Sequence, residues 1–133
     1  MPIPTEPIGS IPRPPELIAA MKDKAAGGIS AAAFEQIAQR ALRDTIRRFE
    51  ETGSPIVTDG EQTKSSFVTY PLEGLSNLAS DGVVIPFEDG HTRQLPRLTA
   101  GPFRYGAYAA SYVAAAKQCT KLPVKQLSYR RPR

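Results

Sequence analysis

Residues 30–61 read SAAAFEQIAQRALRDTIRRFEETGSPIVTDGE, a helical pattern followed by a short β-branched run. Ser30 is suited to the N-cap of this helix, and Gly53 supplies its end. Seven side chains recur at helical spacing and form one stripe: Phe34, Ile37, Ala38, Ala41, Leu42, Thr45 and Phe49. Residues 54–58 then predict a buried strand, and residues 59–61 predict a sharp turn at its carboxyl end. This succession of a long helix and a short buried strand indicates an α/β fold.

The chain before this stretch is rich in proline, with six prolines among its first 15 residues. Prolines favour extended or irregular backbone, and residues 8–11 predict a short strand that runs into a tight turn. A first helix is predicted to begin at residues 14–16, because proline is tolerated in a first helical turn. Gly27-Gly28 is predicted to end that helix.

The chain after this stretch alternates loops, short strands and one more helix. Residues 62–79 predict a loop with a helical turn, and Glu88-Asp89-Gly90-His91 lies between two apolar runs, as in a β-hairpin. Prolines in both arms of the hairpin, residues 83–87 and 93–98, favour edge strands or an excursion from the main sheet. The third helix is predicted from Gly101-Pro102 to Cys119, and residues 123–126 predict another strand. Two or three strands in βα order cannot close a barrel, so the chain looks like the start of something larger.

Composition favours one soluble domain of 133 residues with a net charge of +4. All 13 acidic residues lie in residues 1–89, while residues 90–133 contain nine basic residues. A nucleic-acid arm is one interpretation, but no aromatic-interleaved binding motif accompanies the basic residues, so we expect neither a nucleic-acid nor a membrane partner. No secretory signal or membrane-spanning run is visible, and the single Cys119 fits a reducing cytosol. We therefore expect a cytoplasmic protein.

Two short motifs at predicted strand ends could carry chemistry. Asp59-Gly60-Glu61 places carboxylates at the edge of a sheet where parallel α/β folds build their sites. Ile8-Gly9-Ser10 offers a close backbone approach and a hydroxyl, which together could hold a carboxylate. Each motif alone also fits an ordinary turn. His91 is interpreted as a loop histidine without a special role, and Cys119 as a structural thiol.

Taken together, the motifs Ile8-Gly9-Ser10-Ile11-Pro12-Arg13-Pro14 and Thr58-Asp59-Gly60-Glu61-Gln62 resemble the cobalamin-independent methionine synthase family. The chain is most similar to the short members related to that enzyme's C-terminal catalytic half. Gly101-Pro102-Phe103-Arg104-Tyr105 and Pro123-Val124-Lys125-Gln126 extend the resemblance over roughly residues 4–126. It implies a TIM (β/α)₈ barrel, of which this chain would form roughly the first third, with a β-hairpin excursion. It also implies methyl transfer from methyltetrahydrofolate to the thiol of homocysteine, with a zinc ion that favours the thiolate.

The resemblance assigns roles to individual residues. Ile8, Gly9 and Ser10 match the segment that holds the carboxylate of homocysteine, and Glu61 matches the glutamate that binds its ammonium group. Arg93 and Gln94 fall near the family's folate-contacting arginine region, with a one-residue gap. The family's zinc ligands, which include a His-x-Cys pair, and its general-acid histidine are missing. His91 and Cys119 do not match those positions, so no zinc is expected to bind this chain.

The last seven residues, 127–133, depart from the family and predict a frameshifted tail. Relatives continue after residues 123–126 with an apolar strand similar to Ala-Val-Ile-Ser-Ala-Ser-Ala. Codons for that strand that have lost one base can encode Leu-Ser-Tyr-Arg-Arg-Pro-Arg, as found here. Residues 1–126 are thus interpreted as the N-terminal part of a methionine-synthase-like barrel that is truncated and inactive alone. The alternative is a small non-catalytic module that binds an amino-acid thiol or a partner barrel fragment.

Overall fold

The computed structural model of the protein describes residues 5–127, which form two compact units. One unit combines residues 5–64 with residues 109–127, and the other comprises residues 65–108. None of the helices in the described residues is long and apolar enough to cross a membrane. The predicted frameshifted tail lies outside the described residues, except for Leu127.

Helices α1 (Pro15–Ala25) and α2 (Ala31–Glu51) form the first unit's N-terminal half. α1 begins after Pro14, as predicted, with a proline in its first turn. α2 begins at the predicted N-cap, where the Ser30 hydroxyl accepts a hydrogen bond of 3.1 Å from the Ala33 N–H. Gly53 follows α2 with a φ of 75°, a conformation that glycine adopts without a Cβ clash. The helix predictions over residues 14–53 are confirmed.

The apolar stripe of α2 supplies most of the core, which consists of two groups of side chains. The first group joins α1 to the start of α2: Leu17, Ala20, Phe34, Ala38 and Ala41. The second group joins the end of α2 to the later chain: Leu42, Ile46, Val57 and Ala116. Cys119 is half-buried against this second group, and its role as a structural thiol stays a prediction.

The predicted parallel strands are present as one bridge between Val57 and Val124. Val57 donates to the carbonyl of Pro123 at 3.0 Å, and Lys125 donates to the carbonyl of Val57 at 2.8 Å. The prediction of a strand over residues 8–11 is wrong: this segment makes one backbone bond to the neighbouring turn, from Ile11 N–H to Gly60 O at 3.1 Å. Prolines at both ends of the segment remove donors that a ladder would need.

The second unit, residues 65–108, contains a short 3-10 helix (Tyr70–Leu72) and two antiparallel pairs. β2 (Val84–Pro86) pairs with β3 (Thr92–Gln94), which confirms the predicted hairpin. β1 (Leu78–Ala79) pairs with β4 (Arg97–Leu98), a pairing that the sequence did not indicate. β2, β3 and β4 are exposed, and β1 is half-buried.

Helix α3 (Ala109–Lys117) starts later than the predicted onset at Gly101-Pro102. Gly101 has a φ of 74°, which a helix does not allow. Gly106 passes so close to the backbone of Glu73 that a Cβ would lie 2.1 Å from its carbonyl oxygen. The chain before α3 is therefore held in irregular contacts rather than in a helix.

Candidate active site

The two motifs singled out in the sequence meet in the first unit. The Ser10 hydroxyl donates a hydrogen bond to the Glu61 carboxylate, across 51 positions of sequence. Gly9 lies beside the same carboxylate, because a Cβ on Gly9 would be 3.8 Å from Glu61 Oε1. Ile8, by contrast, is exposed to 78%. Residues 9–10 and Glu61 therefore lie together, even though residues 8–11 form no strand.

The turn over residues 58–62 fixes the Glu61 carboxylate. The Asp59 carboxylate accepts a 3.0 Å bond from Glu61 N–H, and the Thr58 hydroxyl accepts a 2.8 Å bond from Gly60 N–H. Gln62 N–H closes the turn on the carbonyl of Asp59 at 3.3 Å. These bonds confirm the tight turn that the sequence indicates.

Glu61 adopts a strained backbone conformation. Its φ of 55° is the one positive value among the non-glycine residues of the described chain. An L-residue in the left-handed region costs about 1–2 kcal/mol, so the surrounding contacts must hold it there. Strain of this kind is concentrated at functional sites, which favours a binding role for the carboxylate over a plain turn.

Arg13 fastens the N-terminal segment to the turn. Its guanidinium donates to the backbone carbonyls of Gln62 and Glu61, each at 3.0 Å, and of Lys64 at 2.6 Å. A guanidinium has five donors in a fixed fork, which suits three converging carbonyls. Arg13 lies within the motif of residues 8–14, but this role could not be predicted from the sequence.

Lys64 is the main feature of the site that could not be predicted from the sequence. Its side chain is fully buried, and its Nζ lies 3.4 Å from Asp59 Oδ2 and 3.7 Å from Glu61 Oε1. The same Nζ lies 5.3 Å from the centre of the Tyr112 ring. A lysine in a loop gives no sequence signal for burial, because its burial depends on the carboxylates that the turn brings to it.

Several buried oxygens at this site accept no hydrogen bond within residues 5–127. They are Asp59 Oδ2, Glu61 Oε1 and Gln62 Oε1. Buried acceptors without donors are costly and rare in proteins. An ammonium group carries three donors and a positive charge, so it is a ligand that this set of oxygens could bind.

The remaining candidates lie in the second unit. Arg93 and Gln94 are exposed residues of β3 in the second unit, and their folate-side role stays a prediction. His91 stacks on Phe87 with ring centres 4.2 Å apart and pairs with Asp89 in the exposed hairpin turn. In the described residues, no three or more His, Cys, Asp or Glu side chains are grouped so that they could hold a metal ion. These residues therefore do not fit the zinc site that the family implies.

Comparisons with known proteins identify relatives of this chain, although no protein-family model matches it. A 5-methyltetrahydropteroyltriglutamate–homocysteine methyltransferase from Streptomyces coelicolor is 31% identical over 127 residues, which cover 93% of this chain and 16% of that protein. A methionine synthase from Sulfolobus acidocaldarius is 31% identical over 103 residues, or 77% of this chain and 30% of that protein. The chain thus spans less than a third of the length of the curated relatives it matches.

A solved structure of a methionine synthase has a similar fold. The B12-independent methionine synthase from Shewanella sp. W3-18-1, in complex with selenomethionine, matches with a TM-score of 0.57 at 21% identity. The match covers 73% of this chain and 29% of that one. The described residues contain helices and short parallel pairing but no closed barrel, as expected for part of a TIM barrel. The chain belongs to the cobalamin-independent methionine synthase family.

Proposed function

We propose that the unit formed by residues 5–64 and 109–127 binds the amino-acid end of homocysteine, as part of a methyl-transferring barrel. The contact between Ser10 and the buried Glu61 carboxylate carries this proposal. In the bound state, Glu61 would accept hydrogen bonds from the ligand's ammonium group. The Ser10 hydroxyl would turn its single proton from Glu61 to the ligand's carboxylate, which the backbone of residues 8–10 would also hold.

Two observations support Glu61 as the ammonium acceptor. One of its carboxylate oxygens, Oε1, is buried and accepts no hydrogen bond in the described chain, so it can accept one from a ligand beside Lys64 Nζ, which lies 3.7 Å away. The residue is also held with a φ of 55°, which keeps the carboxylate in place before the ligand arrives. A carboxylate that is already positioned loses little side-chain entropy on binding.

The proposal gives this chain a binding role and leaves methyl transfer to residues outside it. The described residues do not fit a zinc site, so no step of the transfer is assigned to them. We propose that the chain alone is inactive and that the active protein has the barrel strands that this chain lacks. We propose that methyltetrahydrofolate binds only to that larger protein, and that any contact of Arg93 or Gln94 with it is made there.

The test is calorimetric titration of the chain with reduced L-homocysteine and with 4-sulfanylbutanoate, which lacks the amino group. Loss of a charge-assisted hydrogen bond costs about 1.5–3 kcal/mol, or roughly ten- to a hundredfold in affinity. Glu61→Gln should therefore weaken homocysteine binding by that factor and leave 4-sulfanylbutanoate binding unchanged. Ser10→Ala should weaken both ligands, because each carries the carboxylate.

The matched control is Glu88→Gln, which changes an exposed glutamate of the hairpin turn. It should bind both ligands as the unchanged chain does. Equal losses for the two ligands in Glu61→Gln, or no measurable binding of homocysteine to the unchanged chain, would contradict the proposed role.

A further inference from the structure

The N-terminal segment and the turn of the candidate site need a connection besides the bond between Ser10 and Glu61. In the proposed bound state Ser10 turns its single proton to the ligand's carboxylate, so that bond is then lost. Residues 8–11 form no strand, so no ladder of backbone bonds fixes them beside the turn. Other contacts must therefore keep the carboxylate-binding segment and the ammonium-binding residue at a constant separation.

The buried side chain of Gln62 supplies one such connection. Its Nε2 donates to the carbonyls of Ile11 and Gly60, each at 3.3 Å. The amide nitrogen must face these oxygens, because the amide oxygen in its place would meet two acceptors. Ile11 also donates its N–H to the carbonyl of Gly60 at 3.1 Å, so both of its backbone polar groups are bonded at the turn. The amide of Gln62 thus replaces the second bond of a strand pair.

Arg13 supplies the second connection. Its guanidinium donates from Nε to the carbonyl of Gln62 and from Nη2 to the carbonyls of Glu61 and Lys64. A planar guanidinium presents its donors in a fixed fork, so these bonds also fix how the turn is oriented. Together with the bond from Gln62 to Ile11, they join residues 11–13 to residues 61–64. None of these bonds uses the Ser10 hydroxyl or the Glu61 carboxylate.

We propose that Arg13 and Gln62 are positioning residues that hold Ser10 and Glu61 at the separation that one α-amino acid bridges. The Ser10 hydroxyl and the Glu61 carboxylate are in contact, which matches a ligand whose ammonium and carboxylate are bonded to the same carbon. Such a ligand gains from both halves of the site only if their separation is fixed beforehand, whereas a ligand with one of the two groups gains nothing from it. This inference rests on the proposed function.

Amide hydrogen exchange without ligand tests whether these residues hold the two segments together. Gln62→Met removes the amide donors and keeps a side chain of similar length. The Ile11 N–H should then exchange about tenfold faster than in the unchanged chain, because the Ile11 carbonyl has lost its donor. The Val57 N–H, which donates to Pro123 in the same unit, should exchange as before. Ser10→Ala should leave the exchange of both amides unchanged.

Three results would overturn the inference. The first is an Ile11 N–H that exchanges no faster in a folded Gln62→Met variant. The second is a larger acceleration in Ser10→Ala than in Gln62→Met, which would mean that the bond between Ser10 and Glu61 holds the segments. The third is an equal acceleration of the Ile11 and Val57 amides, which would indicate only a loss of overall stability.

Arg13→Lys is the second variant, because it keeps the positive charge and removes the fork of donors. It should also accelerate the exchange of the Ile11 N–H, and it keeps the inference testable if Gln62→Met does not fold. Unchanged exchange of this amide in a folded Arg13→Lys variant would contradict the role of Arg13. The matched control is Gln36→Met, which changes an exposed glutamine of α2 and should leave the Ile11 amide as it is.

NMR titrations with three ligands test the effect on binding. They are L-homocysteine, 4-sulfanylbutanoate, which lacks the amino group, and 3-sulfanylpropan-1-amine, which lacks the carboxylate. Gln62→Met should weaken homocysteine binding by about tenfold and change the affinities of the other two ligands much less. Equal losses for all three ligands would refute the positioning role. If the unchanged chain binds no homocysteine while the predicted exchange rates are found, the proposed function fails and the connection through Arg13 and Gln62 stands.

Discussion

Replacing Gly60 by alanine should destabilise the first unit more than replacing a glycine of similar backbone conformation elsewhere. Gly60 has a φ of 59°, and a Cβ there would lie 2.8 Å from both Ile11 Cγ1 and Thr45 Cγ2. Both neighbours lie in well-packed parts of the protein, since Thr45 is buried on α2 and Ile11 donates its N–H to Gly60 O. The new methyl group therefore has to push the N-terminal segment away from α2.

Two costs contribute to the expected loss. The left-handed backbone costs alanine about 1–2 kcal/mol relative to glycine. Overpacking adds about 1–3 kcal/mol. The free energy of unfolding of Gly60→Ala should thus fall by about 2–5 kcal/mol, a large part of the stability of a domain this size.

Gly53→Ala is the matched control, because Gly53 has a φ of 75° but a Cβ there would meet nothing within 4 Å. Its free energy of unfolding should fall only by the backbone cost of about 1–2 kcal/mol. In urea unfolding, with a slope of about 2 kcal/mol per molar, the two variants should differ in midpoint by about 1 M. Equal midpoints would show that the contact of Gly60 with Ile11 and Thr45 is not the tight packing described above.

Three further outcomes are expected. Ser30→Ala removes the N-cap bond to Ala33 and should lower the free energy of unfolding by about 0.5–2 kcal/mol in urea titrations, so an unchanged midpoint would argue against the cap. The hydrogen bond from Arg47 holds the pKa of the half-buried Asp44 below its ordinary value of 3.8, and Arg47→Gln should raise that pKa in an NMR titration. Because the folded pKa is depressed, the small stabilisation from this pair is present above pH 3.8 and is lost as the pH falls through the folded pKa; a pKa that does not rise in Arg47→Gln would contradict this. The purified chain should contain no stoichiometric zinc by elemental analysis and transfer no methyl group from methyltetrahydrofolate to homocysteine; one zinc per chain, or turnover, would contradict the absence of a fitting site.

The helices over residues 14–53 could be predicted because their signals are local. Ser30 caps its own helix, Gly53 ends it, and the stripe of α2 repeats within a few turns. The start of α3 could not be predicted in this way. Gly106 instead passes close to Glu73 and donates its N–H to the carbonyl of Pro71 at 2.7 Å, and both partners are more than 30 positions away in the sequence.

The candidate site shows the same division. The turn over residues 59–61 follows from its own residue types, and the resemblance paired it with residues 8–10. The burial of Lys64 depends on two carboxylates and an aromatic ring that the chain assembles from separate segments. The single bridge between Val57 and Val124 similarly shortens two predicted strands. A local sequence pattern predicts where a strand lies. The number of its residues that pair depends on the segments packed beside it, which are distant in the sequence.

The parallel bridge also has a consequence for how the chain folds. Residues 65–108 leave the first unit after Lys64 and return at α3, yet the Lys64 ammonium lies 5.3 Å from the ring of Tyr112. The two ends of this 44-residue excursion are therefore close together, as in an insertion that a tight connector could replace. Shortening it to six residues would lower the free-energy cost of closing this loop by about 1.8 kcal/mol. A chain shortened in this way would bring Val57 and Val124 together sooner, so the first unit should fold faster than it does with the insertion in place.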